Sequence, residues 1–369
     1  MAINMDDHTQ EENVSPLPAD VIYFPALKAK RGELDALENT RTAERRRMVP
    51  ILELAIQEGA TPSTVGAEFN KLVPRLCKDY DATNFVIVDA TMTDGIELSG
   101  TQAVENLHDR LRADAAAVPT LRTGSSADFI ASVRKIAALD GNGVCIRLHG
   151  DDFGNTGFLA SDLTNALEAL DLSPGQVDLI LDLGFVDGNS LIAFAGFVPA
   201  VIGALPHVHD WRSLVMLAGA FPQSLASAKP NEPASFPRYD AELWSRVIAS
   251  EPPRLPTYGD YVTSYPVPGP PVKHQSAPNI RYTSDDQWFV IKSKVDPKLG
   301  NRTIFPIATM LRNQKPGILS KETFSWGDRE YHRLASERGG PGGGTEWKAW
   351  STSHHISVVI DRLARTGAP

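Results

Sequence analysis

The chain has 369 residues, of which 42% are hydrophobic and 22% are charged, and its formal net charge is −9. This composition excludes a wholly disordered chain, and the acidic balance argues against a protein that coats nucleic acid with a basic surface. The two cysteines, Cys77 and Cys145, are too few for a disulfide scaffold or a multi-cysteine metal cluster. No apolar run reaches the length of a transmembrane helix, so no membrane partner is expected.

The first 20 residues are polar and acidic. They predict a disordered tail, because so few apolar side chains cannot offset the entropy lost on ordering. This segment also lacks the basic and then apolar pattern of a secretory signal. We therefore expect the protein to be cytoplasmic.

From residue 21 onward, short apolar runs alternate with amphipathic stretches of helical periodicity. The runs are rich in β-branched and aromatic residues, as in buried strands, and cover 21–27, 49–54, 85–90, 118–123, 144–150, 177–184, 214–221 and 257–263. Their midpoints are about 34 residues apart, enough for a strand, a crossover helix and two loops. Eight such units within 21–265 predict an α/β fold of the (β/α)8 TIM-barrel type. An open doubly wound parallel sheet is the alternative, although its glycine-rich turn is missing after the first strand.

Residues 266–369 are predicted to form a basic C-terminal extension or a small α+β domain. A proline-rich connector leads into two strands on either side of 284–286, helices over 302–313 and 325–336, a glycine-rich loop over 338–347 and a helix over 354–365. Segment 271–349 contains 13 Lys and Arg residues but 8 Asp and Glu residues. Such a segment is either an ordinary solvated surface or a contact for a phosphate-containing ligand, nucleic acid or an acidic partner.

Several segments together resemble the phage T4 beta protein family, which occurs in phages and in bacterial mobile elements. The matching pieces run in order from residue 22 to residue 364 and include YFPALKAKRGELDAL, VPILEL, LILDLG, PTYGDY, PNIRYTSDDQWFVIK, FSWGD and TEWKAWSTSHHISVVIDRLA. The resemblance implies a role in phage–host conflict, either antiviral defence or a function of a mobile element. It implies no catalytic residue.

Charged side chains recur at the predicted carboxyl ends of the strands, which is where TIM barrels carry their active sites. Isolated charges are costly at buried strand ends, so their recurrence indicates a shared polar centre. Glu53, Asp89 and Asp182 are candidate ligands of Mg²⁺ or Mn²⁺. Asp182 and His149 are the candidate catalytic residues, with His149 as the proton-transfer group. This set is typical of metal-assisted hydrolysis of a phosphate-containing substrate such as a nucleotide or nucleic acid.

A second group of residues is predicted to bind the substrate. Cationic side chains would hold its phosphate, and aromatic side chains of the extension would stack on a base or sugar. The candidates are Lys28, Arg147, Asp260, Arg281, Trp288 and His355. Two alternatives remain open. The charges can form salt bridges that neutralise one another, and the barrel can be a non-catalytic scaffold that binds and regulates a partner protein.

Overall fold

The computed structural model describes residues 14–79, 85–153, 156–267, 277–315 and 317–369. Most of the predicted disordered tail lies outside these residues, as does part of the basic segment. The strands, in chain order, are β1 (Tyr23–Lys28), β2 (Ile51–Glu53), β3 (Phe85–Asp89), β4 (Glu97–Leu98), β5 (Thr101–Gln102), β6 (Ala116–Leu121), β7 (Val144–Leu148), β8 (Val177–Phe185), β9 (Ser213–Gly219), β10 (Pro233–Pro237), β11 (Thr257–Asp260), β12 (Asn279–Thr283) and β13 (Gln287–Lys292).

The α-helices alternate with the strands up to β11 and follow the strands thereafter. They are α1 (Arg31–Glu38), α2 (Thr42–Arg45), α3 (Pro62–Asp79), α4 (Ala103–Leu111), α5 (Ala127–Asp140), α6 (Thr156–Leu170), α7 (Leu191–Ala204), α8 (Tyr239–Ala249), α9 (Ile304–Arg312), α10 (Trp326–Ala335) and α11 (Gly344–Thr366). In the described part of the chain, none of these helices combines the length and the apolar character needed to cross a bilayer.

All eight predicted barrel strands are present, and they close into a parallel barrel. The order around the barrel is β1, β11, β9, β8, β7, β6, β3 and β2, and β2 pairs with β1 to complete it. Near-continuous apolar runs suit this arrangement, because strands of a parallel barrel are covered on both faces. The (β/α)8 prediction is confirmed, and the open sheet is excluded by the β1–β2 pairing.

The two-residue period of the strands places an apolar layer inside the barrel and charged side chains next to it. Successive strand residues face opposite sides, so every second side chain points into the barrel. The apolar layer includes Ile51, Ile87, Cys145 and Ile180. Two residues further along the same four strands lie Glu53, Asp89, Arg147 and Asp182. The strand periodicity therefore directs four charged side chains to the same end of the barrel interior.

The extension combines an antiparallel sheet with two helices and then returns to the barrel. The sheet has the strand order β10, β13, β12, and α9 and α10 pack beside it around an apolar core of their own. Helix α11 packs against α1 and β1, and its residues Ile356, Val359 and Ile360 belong to the large core between the barrel and its helices. Helix α11 thus covers the barrel beside β1. In a standard (β/α)8 barrel, the helix that directly follows the eighth strand occupies this place.

Helix α11 begins ten residues earlier than the sequence predicts. The predicted loop over 338–347 ends at Gly343, because the carboxylate of Glu346 accepts a hydrogen bond of 2.9 Å from the Gly343 N–H and caps the helix. The early start lets α11 approach α1 closely. A Cβ atom on Gly32 of α1 would lie 2.6 Å from the carbonyl oxygen of Thr345.

Candidate functional site

The guanidinium of Arg147 lies at the centre of the carboxyl end of the barrel and is completely buried. It donates hydrogen bonds to Asp182 Oδ2 from Nε (3.0 Å) and Nη2 (2.8 Å), to Asp89 Oδ2 (2.8 Å) and to Glu53 Oε1 (2.7 Å). The hydroxyl of Tyr261 accepts a further bond from Arg147 and donates one to Asp182, both 2.7 Å long. The structure therefore brings together four of the residues that the sequence predicts for the site.

Two further cations flank this centre. Lys28 Nζ contacts Glu53 and donates to the carbonyl oxygen of Pro266 at 2.8 Å. Arg122 Nη2 donates to Asp89 Oδ2 at 2.7 Å. Burial alone would raise the pKa of the Asp89 carboxyl, but the guanidinium groups of Arg122 and Arg147 hold it well below its usual range. Three cations and three carboxylates are thus paired at the barrel mouth.

His149 differs from its neighbours because its side chain is partly exposed and its Nε2 makes no hydrogen bond. Its Nδ1 lies 3.2 Å from Asp182 Oδ2, and 36% of its side chain is exposed. Since a carboxylate can only accept a hydrogen bond, this approach favours the tautomer with the proton on Nδ1. Burial lowers the pKa of His149, although the Asp182 carboxylate opposes this shift. The lowered pKa favours the uncharged ring at neutral pH, and its Nε2 is buried without a hydrogen-bond partner.

The carboxylates do not fit the predicted metal site at Glu53, Asp89 and Asp182. In the described ranges, no group of three or more His, Cys, Asp or Glu side chains is arranged to hold a metal ion. The physical reason is that the guanidinium of Arg147 contacts all three carboxylates at 2.7–3.0 Å. Mg²⁺ and Mn²⁺ require several oxygen ligands directed at one point, and here a protein cation holds that position.

Asp260 does not join this centre, although it lies on a barrel strand. Tyr261 points into the barrel, so Asp260, the residue before it, points to the outer face. Its carboxylate accepts hydrogen bonds from the Tyr23 hydroxyl (2.6 Å) and from His355 Nε2 (2.7 Å). Burial alone would raise the pKa of Asp260, but His355, then the charge of Arg238 and the hydrogen bond from Tyr23, lower it to about 2. Because His355 Nδ1 also contacts the Thr283 hydroxyl at 2.8 Å, both residues connect the barrel to the extension.

Arg281 and Trp288 also lie between the extension and the barrel. Trp288 is 1% exposed, and its ring packs edge-on against Phe221, with 5.3 Å between the centroids. The Arg281 guanidinium lies over the same Phe221 ring and donates to the carbonyl oxygen of Thr263 at 2.8 Å. In this arrangement both side chains are engaged in packing, so the geometry gives their predicted role in substrate binding no support.

Tyr261 and Lys348 are polar residues near the barrel mouth that the sequence analysis does not identify. Tyr261 is uncharged, and its only signal is its position two residues after the inward-facing Gly259. Lys348 comes from α11 and contacts Ser264 Oγ at 2.6 Å and Glu33 Oε1 at 3.5 Å. Burial lowers the pKa of Lys348 to about 8, against the raising effect of Glu33. The strand pattern does not predict Lys348 at this place, because the residue lies on α11, which follows the rest of the extension in the chain.

The sequence model of the beta protein family matches residues 23–361. The match includes every strand of the barrel and most of α11. The chain therefore belongs to the beta protein family, as the resemblance implies. No curated protein matches the chain.

Proposed function

We propose that this member of the beta protein family binds a phosphate-containing substrate at the barrel mouth and that His149 catalyses its hydrolysis without a metal ion. The supporting observation is the state of the imidazole. Its Nδ1 lies 3.2 Å from Asp182 Oδ2, and its Nε2 is a buried nitrogen without a hydrogen-bond partner on a partly exposed ring. A base held and oriented by a carboxylate is the usual arrangement for proton transfer at a histidine.

In the proposed reaction, a shift of the partly exposed ring of His149 brings the buried Nε2 to a water molecule. Nε2 then removes a proton from this water as the water oxygen attacks phosphorus. The bond between phosphorus and the leaving oxygen breaks, and the imidazolium returns the proton to that oxygen. Asp182 stabilises the charged ring because its carboxylate lies 3.2 Å from the ring nitrogen Nδ1. None of these reaction steps requires a metal ion, because the substrate and the protein's own side chains supply every group that takes part.

Arg122 is the favoured ligand for the substrate phosphate. A third of its side chain is exposed at the mouth (33%). Arg147 was predicted for this role, but it is completely buried and its donors are directed at the carboxylates. We therefore assign Arg147 a positioning role: it fixes Asp182, which in turn orients His149.

The biological setting is part of the same proposal. Membership of the beta protein family supports a role in phage–host conflict, either as a defence function or as a function of a mobile element. The proposal places this activity in the cytoplasm, and the free thiols of Cys77 and Cys145 are consistent with a reducing compartment.

The test is cleavage of radiolabelled nucleotides, single-stranded RNA and single-stranded DNA by the purified protein, with and without EDTA. We expect cleavage to survive EDTA and to fall by about 100-fold or more in His149→Gln. The rate should rise as the pH increases through the lowered pKa of His149 and stay level above it. His207→Gln, at a half-exposed histidine away from the barrel mouth, is the matched control. Loss of cleavage in EDTA, or full activity of His149→Gln, would contradict the proposal.

A non-catalytic barrel that regulates a partner protein is the second candidate. The observation that favours it is the pairing of three cations with three carboxylates, which leaves little unbalanced charge at the mouth. An exposed loop after β13 offers a partner surface, with Lys294 and Lys298 beside the exposed side chains of Val295 and Leu299. In a cellular assay, the double change Lys294→Glu and Lys298→Glu would abolish activity under this alternative, whereas His149→Gln would have no effect.

A further inference from the structure

The extension contains a cavity of about 540 Å³ that is separate from the barrel mouth. It lies between the β12–β13 hairpin, the segment after α9 and the last turns of α11. Its volume is in the range of small-molecule binding sites, roughly 300–1,000 Å³. None of the residues that form the network around Arg147 lines it.

One part of the cavity wall is apolar and partly aromatic. Phe289, Ile318 and Phe324 are each half-buried there, and Val358 of α11 is buried beside them. Aromatic side chains that remain half-exposed in a concave site offer flat surfaces on which a ring can stack. This part of the wall therefore suits a planar, weakly polar group.

Another part of the wall is charged, with more cations than carboxylates. Lys315, Arg362 and Arg365 line it, together with the carboxylates Asp285 and Asp361. The ion pair between Arg365 and Asp361 is 3.5 Å long and more than half exposed, so it holds Arg365 only weakly. Arg365 can therefore exchange this exposed partner for an acid group on a ligand.

Arg362 is the inner cation of this wall, with 18% of its side chain exposed. Its Nη1 contacts Asp285, but its Nε is buried without a hydrogen-bond partner. A buried donor without an acceptor is unfavourable, so a small shift of the side chain toward an oxyanion in the cavity would be favoured. Arg362 also presents a planar set of donors that matches a carboxylate or a phosphate.

We propose that the extension cavity binds a small molecule composed of a planar ring and an acid group. The ring contacts Phe289 and Phe324, and the oxyanion is bound by Arg362, with Lys315 and Arg365 at the rim. Nucleoside monophosphates and aromatic carboxylates share this chemistry. The site accounts for part of the positive charge of the extension and does not depend on any reaction at the barrel mouth.

The test is isothermal titration of the full chain with adenosine monophosphate, adenosine, inorganic phosphate and 2-naphthoate. We expect adenosine monophosphate, 2-naphthoate or both to bind, and adenosine and phosphate to bind at least about tenfold more weakly, because each lacks one half of the recognition. Binding of adenosine monophosphate alone identifies a phosphate ligand, and binding of 2-naphthoate alone identifies a carboxylate ligand. If neither probe binds, or if phosphate binds as tightly as adenosine monophosphate, the proposal is overturned.

Variants locate the binding within the molecule. Arg362→Gln should weaken binding by about tenfold or more, because it removes a charge-assisted contact, and Phe324→Leu should weaken it through the ring. Arg246→Gln, which also removes an arginine from an ion pair, lies on α8 outside the cavity and is the matched control. His149→Gln should bind the probe normally, so a failure of the proposed catalysis would not affect this result. Unchanged affinity in both folded cavity variants would show that the probe binds elsewhere.

Discussion

Replacing Arg147 with methionine would leave three carboxylates at the barrel mouth without their common cation. The guanidinium is fully buried and makes two hydrogen bonds with Asp182 and one each with Asp89, Glu53 and Tyr261. Removing one partner of a buried ion pair costs about 3–5 kcal/mol, since the remaining charge stays desolvated. We therefore expect Arg147→Met to lower the free energy of unfolding by that amount at neutral pH.

The size of this loss should depend on pH. Without the cation, burial and mutual repulsion raise the pKa of the carboxyls in the folded state above their unfolded values of about 4. The folded variant then binds more protons than the unfolded chain, so its stability decreases as the pH rises above about 4. Guanidinium chloride unfolding, followed by circular dichroism, should show a smaller loss at about pH 5 than at about pH 7.5.

Two comparisons make this experiment decisive. Arg134→Met removes an exposed arginine that pairs with Asp171, and it should change stability by no more than about 0.5 kcal/mol. Adding Asp89→Asn and Asp182→Asn to Arg147→Met should restore part of the lost stability at neutral pH, because fewer unpaired charges remain. If Arg147→Met is as stable as the unaltered protein, or if its loss is the same at both pH values, the description of the barrel mouth as a coupled charge network is refuted.

Three further predictions concern acid stability and helix packing. Neighbouring guanidinium groups lower the pKa of Asp89, so its charge stabilises the folded state above its unfolded pKa of about 4, and this stabilisation is lost as the pH falls further. Asp89→Asn should therefore flatten the dependence of the unfolding midpoint on pH below about 4. Burial lowers the pKa of His355, so the folded state binds this proton less readily than the unfolded chain and loses stability as the pH falls below about 6.5. Thermal melts of His355→Gln should lack this loss. A Cβ atom on Gly327 would lie 2.1 Å from the Trp350 carbonyl oxygen, so Gly327→Ala should cost about 1–3 kcal/mol in chemical unfolding. Gly196→Ala, in α7 with no atom within 4 Å of its Cβ, is the control and should stabilise by up to about 1 kcal/mol.

The barrel interior and the four charged strand residues at its mouth follow from one sequence property, the two-residue period of the strands. In each of four strands, an apolar residue that fills the barrel is followed two positions later by a charged one, as in Ile51 and Glu53 or Cys145 and Arg147. A closed barrel brings those positions to one end. The convergence was therefore predictable once the strands were identified.

The role of Asp260 and the nature of the centre were not predictable in the same way. A charged residue at a strand end faces either the interior or the helices, and the weak pattern of TYGDYVT does not decide between Asp260 and Tyr261. The poor fit of the carboxylates to the predicted metal site was not predictable for a different reason. Sequence gives the residue types, but whether the long side chain of Arg147 reaches between the three carboxylates depends on the diameter of the barrel and on side-chain rotamers.

The extent of α11 was predictable only in part. Its apolar stripe gives the helical portion from His354 onward, whereas the first ten residues, with Gly344 and two tryptophans, have no such stripe. Their helical state depends on the cap supplied by Glu346 and on packing against α1 and the extension. Tertiary contacts therefore determine where this helix begins.

The position of α11 has a consequence for how the protein forms during synthesis on the ribosome. The helix covers α1 and β1, yet the strands and helices from β12 to α10 separate it in the chain from β11, the final barrel strand. Until residues 344–366 emerge, the apolar groove beside α1 has no cover, and nascent chains will expose it to other nascent chains or to chaperones. Premature termination within the glycine-rich loop would yield a complete ring of strands that is nonetheless prone to aggregate.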